Sequence, residues 1–381
     1  MAKVFVTGIG TISSIGQDVT ETLNSLESQK RGISRLEFIP TRHSKIMAGQ
    51  IKLQNTQLAE LLNISDLNLY SRAGLLGTIA VREAIHNAKI EDIYEYQTGL
   101  ISATTTGGAE VGTPFFDDKD CGCSTERIAD FVGIKDYLAT VKTACSSSAN
   151  AIMLGARLIK QGVLDRVVAG GTDSLSRFTI NGFHSLKILD PEICKPFDAN
   201  RNGLNLGEGA GYIVLESEKS CKNKQILAEL SGYGNANDAF HQTATSPAGE
   251  GAFLAMQKAL SLAHVNSSDI DYINAHGTGT EINDLSEGTA ISNIFNEVVP
   301  HISSTKGYTG HTLGASGGSE AVFSILSLNH NTIFPNLNYK DKMPELNFVI
   351  NAEVKKNKEI KHVLSNSFGF GGNCTSLIFS N

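Results

Sequence analysis

Three residues have the type and the setting for nucleophilic chemistry: Cys145, His276 and His311. Cys145 stands in Lys142-Thr-Ala-Cys-Ser-Ser-Ser, after a moderately apolar stretch over 134–141 and before Ala149, Ile152, Met153, Ala156 and Ile159 at helical spacing. It therefore falls at a strand-to-helix corner. Unpaired N–H groups and the positive end of a helix dipole favour a thiolate there, and the small residues that follow leave room for a substrate. A lone buried cysteine is more often structural, so the reading rests on the histidines. His276 lies in Ala-His-Gly-Thr-Gly-Thr and His311 in Thr-Gly-His-Thr-Leu-Gly, each after an apolar strand segment. Glycine allows close approach of a ligand to the backbone, and the threonines supply hydroxyls. One cysteine and one histidine would suffice for a hydrolase. The second histidine loop therefore argues against a hydrolase.

The elements that must position these residues alternate. Strands are expected over 98–102, 163–171, 212–216, 270–275, 302–305 and 362–367, and helices over 71–88, 249–264, 285–295 and 315–328. A strand, the cysteine helix and the strand at 163–171 make a βαβ unit with the reactive residue at a strand's carboxyl end. The second half repeats the pattern, which predicts a duplicated α/β unit with the site between its halves, divided into 1–225 and 226–381. At the amino end, residues 4–16 read as a buried strand running into a glycine loop, with Asp18 opening a helix. Gly8 and Gly10 lack the third glycine and later acidic residue of a dinucleotide site, so a tight turn is the better reading. Phe115, Phe116, Phe131, Cys121 and Cys123 fall in a mixed segment over 109–133 with no clear period.

Bulk composition excludes other classes. Hydrophobic residues make up 41% and charged residues 19%, with 37 glycines and no tryptophan, as in an ordered α/β protein with many tight turns. A net charge of −7 weighs against nucleic acid as partner. The six cysteines form no CxxC pair or disulfide framework, so no metal site is expected and a reducing cytoplasm is the simplest location. No apolar run reaches membrane-spanning length.

The motifs Thr-Ala-Cys145-Ser-Ser, Ala-His276-Gly-Thr-Gly-Thr, Ser-Ser-Thr-Lys306-Gly-Tyr-Thr-Gly-His311-Thr-Leu-Gly-Ala and Asn366-Ser-Phe-Gly-Phe-Gly-Gly372 together resemble the β-ketoacyl-acyl carrier protein synthases. These are the elongating condensing enzymes of the thiolase fold, and the likeness runs from Val4 to Phe379. It implies a thiolase-like α/β fold of two duplicated halves, layered α-β-α-β-α. It also implies that an acyl group passes from acyl carrier protein to Cys145 and condenses with a malonyl unit as carbon dioxide leaves. The resemblance makes His276 and His311 neutral donors to the enolate, and the Cys145 and Phe370 N–H groups the oxyanion hole. Lys306 and Glu320 become a supporting pair, and Thr278 and Thr280 contacts for the pantetheine arm. Phe370 becomes a gating aromatic and Phe183 part of the acyl tunnel. Asp284, Asp198, Arg201 and Glu208 match motif positions that are equally compatible with structural roles.

No cofactor is implied beyond the phosphopantetheine on which carrier protein brings the substrates. The family implies a homodimer, with a heterodimer containing a related ketosynthase-like chain as the variant. A non-catalytic partner subunit is the alternative reading, against which the retained Cys145 counts. The sequence departs from the elongating pattern in several places. Asn373-Cys374 stands for Thr-Asn and Leu204-Asn205 for Phe-Val, the 109–133 segment is short, and Asp66-Leu-Asn-Leu-Tyr70 replaces basic residues before Arg72. These departures point to a specialised pathway, such as polyene or secondary lipid synthesis.

Overall fold

The computed structural model describes residues 2–39, 41–43, 45–107 and 120–381. Phe115 and Phe116 lie outside the described residues. The chain runs β1 (Val4–Ser13), α1 (Val19–Glu27), β2 (Ile33–Arg35), β3 (Met47–Gly49), α2 (Asn55–Leu62), α3 (Arg72–Asn87), β4 (Thr98–Ala103), α4 (Cys123–Val132) and β5 (Tyr137–Val141). It continues α5 (Ser147–Lys160), β6 (Arg166–Asp173), α6 (Arg177–Ser185), β7 (Leu206–Gly207), β8 (Gly209–Ser217), β9 (Ala228–Asn237) and α7 (Glu250–Ala263). Then come β10 (Tyr272–Asn274), α8 (Glu281–Ile294), β11 (His301–Ser303), α9 (Lys306–Thr309), α10 (Ser316–His330), β12 (His362–Gly369) and β13 (Asn373–Ser380).

Gly8 and Gly10 correct the expected glycine loop, because both lie inside β1. Their role is packing: a Cβ would stand 2.2 Å from the Ala84 carbonyl oxygen at Gly8 and 2.1 Å from that of Ala80 at Gly10. The missing side chains let α3 lie directly on the strand. Asp18 does open α1, its carboxylate accepting the Glu21 N–H at 2.7 Å. α8 begins at Glu281, a turn ahead of the expected start.

Among the described residues, ten strands form one sheet in the order β11-β10-β12-β13-β9-β1-β8-β6-β4-β5. Its two sections meet where β1 pairs β9 through Phe5 with Glu229 and Val6 with Ala228. A separate sheet holds β2, β3 and β7. α3 covers β1, β8 and β6 on one outer face, and α7 covers β9 and β13 on another. Between the sections, α5 and α10 pack against each other and against strands of both. The result is five layers, α-β-α-β-α. Residues from Ser316 to Leu328 of α10 are all buried, which explains why its polar residues there are small serines and the paired Glu320 and not a solvent-facing charged stripe. Val322, Phe323, Ile325 and Leu326 join Ile152, Ala156, Val167 and Ile213 in the central core. Each such large apolar side chain contributes on the order of 1.5–3 kcal/mol, and together they fix the strand ends that carry the site.

Candidate active site

Cys145 lies two residues ahead of α5, at the corner between β5 and that helix. The turn is tight: Ala144 has φ +52°, the Ser147 N–H reaches the Ala144 carbonyl at 3.1 Å, and the Ser147 hydroxyl accepts the Thr143 N–H at 2.8 Å. The end of β12 comes directly up to this corner. A Cβ at Gly369 would stand 2.8 Å from the Thr143 carbonyl oxygen and 3.0 Å from the Cys145 nitrogen, so only glycine admits the strand. The next residue is Phe370, whose backbone N–H favours the charged form of the Cys145 sulfur.

The expected thiolate is corrected by burial. Taking the thiol out of water pushes Cys145 up to about 12, against the pull of the Lys306 charge and the Phe370 N–H and with further upward pressure from Asp173 and Glu320. Desolvation outweighs the helix end, and the resting group is the thiol.

His276 and His311 come from loops at the ends of other elements. The His276 and Gly277 N–H groups donate to Glu287 at 2.9 and 2.8 Å, and the Asn366 amide donates to the same carboxylate at 3.0 Å. Gly277, at φ +37°, is pressed between Phe197 and Ser304, where a Cβ would sit 2.6 Å from each. The His311 N–H donates to the Asn205 carbonyl and its carbonyl accepts the Gly207 N–H, at 2.7 and 2.8 Å. The two rings meet edge to face, 5.3 Å between centroids, and each residue is 2% exposed.

Their protonation follows from their neighbours. Burial lowers His276 and His311 well below 6.5, and the Lys306 charge adds to this in both. Both rings are therefore neutral. His311 Nδ1 accepts the Leu313 N–H at 3.1 Å, so its proton sits on Nε2. Lys306 Nζ lies 3.3 Å from His276 Nδ1, and an ammonium only donates, so this ring too carries its proton on Nε2. Lys306 pairs with Glu320 at 2.5 Å. Burial nonetheless pushes the Glu320 carboxyl up to about 7 despite that pairing.

One cavity of about 350 Å³ gathers Cys145, His276, His311, Thr278, Thr280, Phe183 and Phe370. Lys306 and Glu320 stand behind the histidines. The Thr278 and Thr280 hydroxyls lie 2.9 Å apart, and Phe183 stacks on Phe370 at 5.9 Å between centroids. The four equivocal residues hold the frame instead. Asp284 accepts the Phe197, Thr278 and Gly279 N–H groups, and Asp198 those of Asn200, Lys340 and Asp341. Arg201 donates to the Thr280 and Glu281 carbonyls, and Glu208 grips Arg72 through both oxygens. At the departure Asn373, the side-chain oxygen accepts from Ser146, Asn150 and Asn235 at 2.8, 2.7 and 2.9 Å. The glycine turn is thereby tied to the corner that carries Cys145 and to α5. Leu204 lines the cavity, while the Asn205 amide donates to the Asp190 and Glu192 carbonyls.

Sequence reasoning passed over Glu287 and Ser316. Glu287 could have been found, since it follows Asp284 by three residues and so faces the same loop. Ser316, whose hydroxyl lies 2.9 Å from His311 Nδ1, had no sequence signal beyond its place at the start of α10.

Comparison with known proteins agrees with this architecture. The family model for the β-ketoacyl synthase N-terminal domain matches residues 1–220, and that for the β-ketoacyl synthase C-terminal domain matches residues 227–340. The chain is 33% identical to 3-oxoacyl-[acyl-carrier-protein] synthase 2 of Staphylococcus aureus strain N315, covering 99% of this chain and 98% of that protein. It is also 33% identical to 3-oxoacyl-[acyl-carrier-protein] synthase 1 of Haemophilus influenzae, covering 100% and 99%. Among solved structures, the ishigamide ketosynthase/chain length factor matches with TM-score 0.94 at 29% identity over 100% and 99% of the two chains. The ketosynthase ApeO in complex with its chain length factor ApeC, from Xenorhabdus doucetiae, matches with TM-score 0.85 at 30% identity over 100% and 98%.

Proposed function

Since the chain belongs to the β-ketoacyl synthase family, with its thiolase-like fold, we propose that it lengthens acyl chains by decarboxylative condensation on acyl carrier protein. The observation that carries this reading is the cavity in which a buried thiol faces two neutral imidazoles, both of whose Nδ1 atoms are already engaged by donors.

In the first half-reaction the Cys145 sulfur bonds to the acyl carbon and the carrier's C–S bond breaks. The thiol proton leaves with the carrier thiol, which suits a cysteine that rests protonated. The carbonyl oxygen takes negative charge between the N–H groups of Cys145 and Phe370. In the second, malonyl-carrier loses carbon dioxide, and the electron pair left behind delocalises onto the thioester oxygen as an enolate. The Nε2–H groups of His276 and His311 hold that oxygen. The nucleophilic carbon then attacks the acyl-cysteine, the C–S bond to Cys145 breaks, and the departing thiolate takes a proton from solvent, which balances the carboxylate charge lost as neutral carbon dioxide. The product is a 3-oxoacyl-carrier two carbons longer. Thr278 and Thr280 guide the pantetheine arm, and Phe370, resting on Phe183, moves to admit the acyl chain.

Among the described residues β5 ends the large sheet, and Tyr137, Leu138 and Val141 on it are exposed or half-exposed. An unpaired apolar edge favours covering by another strand. This supports a dimer as the working unit, of two copies or with a related chain, and its mass in solution distinguishes the two. The sequence departures and the likeness to ketosynthase/chain length factor pairs support a specialised pathway. Efficient saturated-chain elongation that replaces a housekeeping synthase would count against it.

The deciding experiment incubates the protein with acyl-carrier and then malonyl-carrier. An acyl mass on Cys145, followed by a product two carbons longer and released carbon dioxide, is expected. Free acid would indicate a hydrolase, and no acyl-Cys145 a non-catalytic partner.

A further inference from the structure

Ser316 and Thr312 stand behind His311 and belong to none of the roles above. The Ser316 hydroxyl lies 2.9 Å from His311 Nδ1 and 3.2 Å from the Thr312 hydroxyl, and all three residues are at most 3% exposed. The direction of each bond can be worked out. The Leu313 N–H already points at Nδ1 from 3.1 Å, and a backbone N–H cannot turn round. A proton on Nδ1 would oppose it. Nδ1 must therefore accept, Ser316 must donate to it, and Thr312, whose hydroxyl has Ser316 as its partner, donates to Ser316. The hydroxyls form a chain running from Thr312 through Ser316 and the ring to the Nε2–H in the cavity.

We propose that Ser316, backed by Thr312, is a positioning residue that holds His311 as an Nε2–H donor and strengthens that donor. A hydrogen bond received at Nδ1 draws electron density through the ring and makes Nε2–H more acidic, so successive donors reinforce one another. The same bond favours the neutral ring and opposes its protonation. The inference rests on the proposed role of His311 at the enolate and adds to it two residues that never touch substrate.

The test uses Ser316→Ala, Thr312→Val and the double variant in the full-length protein, with melting temperature as a check on folding. Malonyl-carrier decarboxylation is followed against pH, and the His311 ring nitrogens by 15N NMR. Loss of one such bond should slow decarboxylation about 3- to 10-fold with KM and acylation of Cys145 little changed. Removing a donor to the neutral ring makes protonation easier, so the His311 titration and the acid limb of the rate should both move to higher pH. Thr312→Val should move them the same way by less, and the double variant should match Ser316→Ala, because Thr312 acts only through Ser316. A purely structural Ser316 would lower melting temperature without moving the titration, and that result overturns the proposal. Additive effects in the double variant would overturn the relay. If the wild-type protein forms no 3-oxoacyl product, the condensation reading fails, while the ring titration still decides the part played by Ser316.

Discussion

Replacing Glu320 by glutamine sets two physical expectations against each other. Glu320 and Lys306 are 3% and 1% exposed and pair at 2.5 Å, and removing one partner of a buried pair commonly costs about 3–5 kcal/mol. The state of the carboxyl argues the other way. Its Oε2 has no hydrogen-bond partner among the described residues, and burial raises the group from 4.5 to about 7 even beside Lys306. A raised carboxyl gives stability that is fully present below its unfolded value and is lost as pH climbs through the folded one. The folded chain thus loses about 3 kcal/mol between pH 4.5 and a little above 7, at about 1.4 kcal/mol per unit. Glutamine imitates the protonated form and suffers no such loss. The variant should therefore exceed the wild type by about 1 kcal/mol at pH 5 and about 3 kcal/mol at pH 8. For 381 residues the pH 8 difference is a rise of about 4 °C in melting temperature. Paired denaturant and thermal melts at the two pH values measure it. A second readout follows from Cys145: Glu320 is among the charges that raise its pKa, so iodoacetamide should alkylate the variant faster at pH 8. A variant that melts lower than wild type at pH 8, or an advantage that shrinks as pH rises, would refute the reasoning.

His276→Ala and His311→Ala should each slow condensation by about 10²–10³, the worth of one donor in a dry site, while acyl-Cys145 still forms; equal loss in both half-reactions, read by mass spectrometry and product assay, would contradict the division of labour. Alkylation of wild-type Cys145 should climb about tenfold per pH unit without levelling before pH 10, because the thiol lies near 12; a plateau near pH 9 would show an ordinary thiol. Gly8→Ala forces a Cβ to 2.2 Å from the Ala84 carbonyl and should cost about 3 kcal/mol or more, measured by denaturant unfolding, since neither β1 nor α3 has room to retreat.

What the sequence disclosed depended on how local each signal was. Cys145, His276 and His311 stand in short glycine-bounded motifs, so residue type and neighbours were enough to find them. β9 was invisible: Ala228-Glu-Leu-Ser-Gly-Tyr-Gly-Asn-Ala-Asn alternates, but glycine and asparagine occupy four of its last six positions, and those glycines are there for α7, whose Ala259 and Ala255 carbonyls lie against Gly232 and Gly234. The same cause made Gly8 and Gly10 look like a loop. The corner position of Cys145 was legible and its protonation was not, because dipole and desolvation oppose each other and only the folded chain shows the residue to be 6% exposed. Glu287 could have been read from its spacing to Asp284, whereas Ser316, five residues beyond His311, could not, because only the folded turn brings its hydroxyl round to the ring.

The join between β1 and β9 has a consequence for altering the protein. Because one hydrogen-bonded sheet carries both the strand leading to Cys145 and those leading to the histidine loops, the span across the reaction centre is a fixed gauge. Opening it would tear a strand pair. Adaptation to a longer, shorter or stiffer acyl chain is left to side chains such as Leu204, Ile188 and Phe183 along the cavity wall. Those residues can be exchanged as interchangeable tooling while the working faces stay in register.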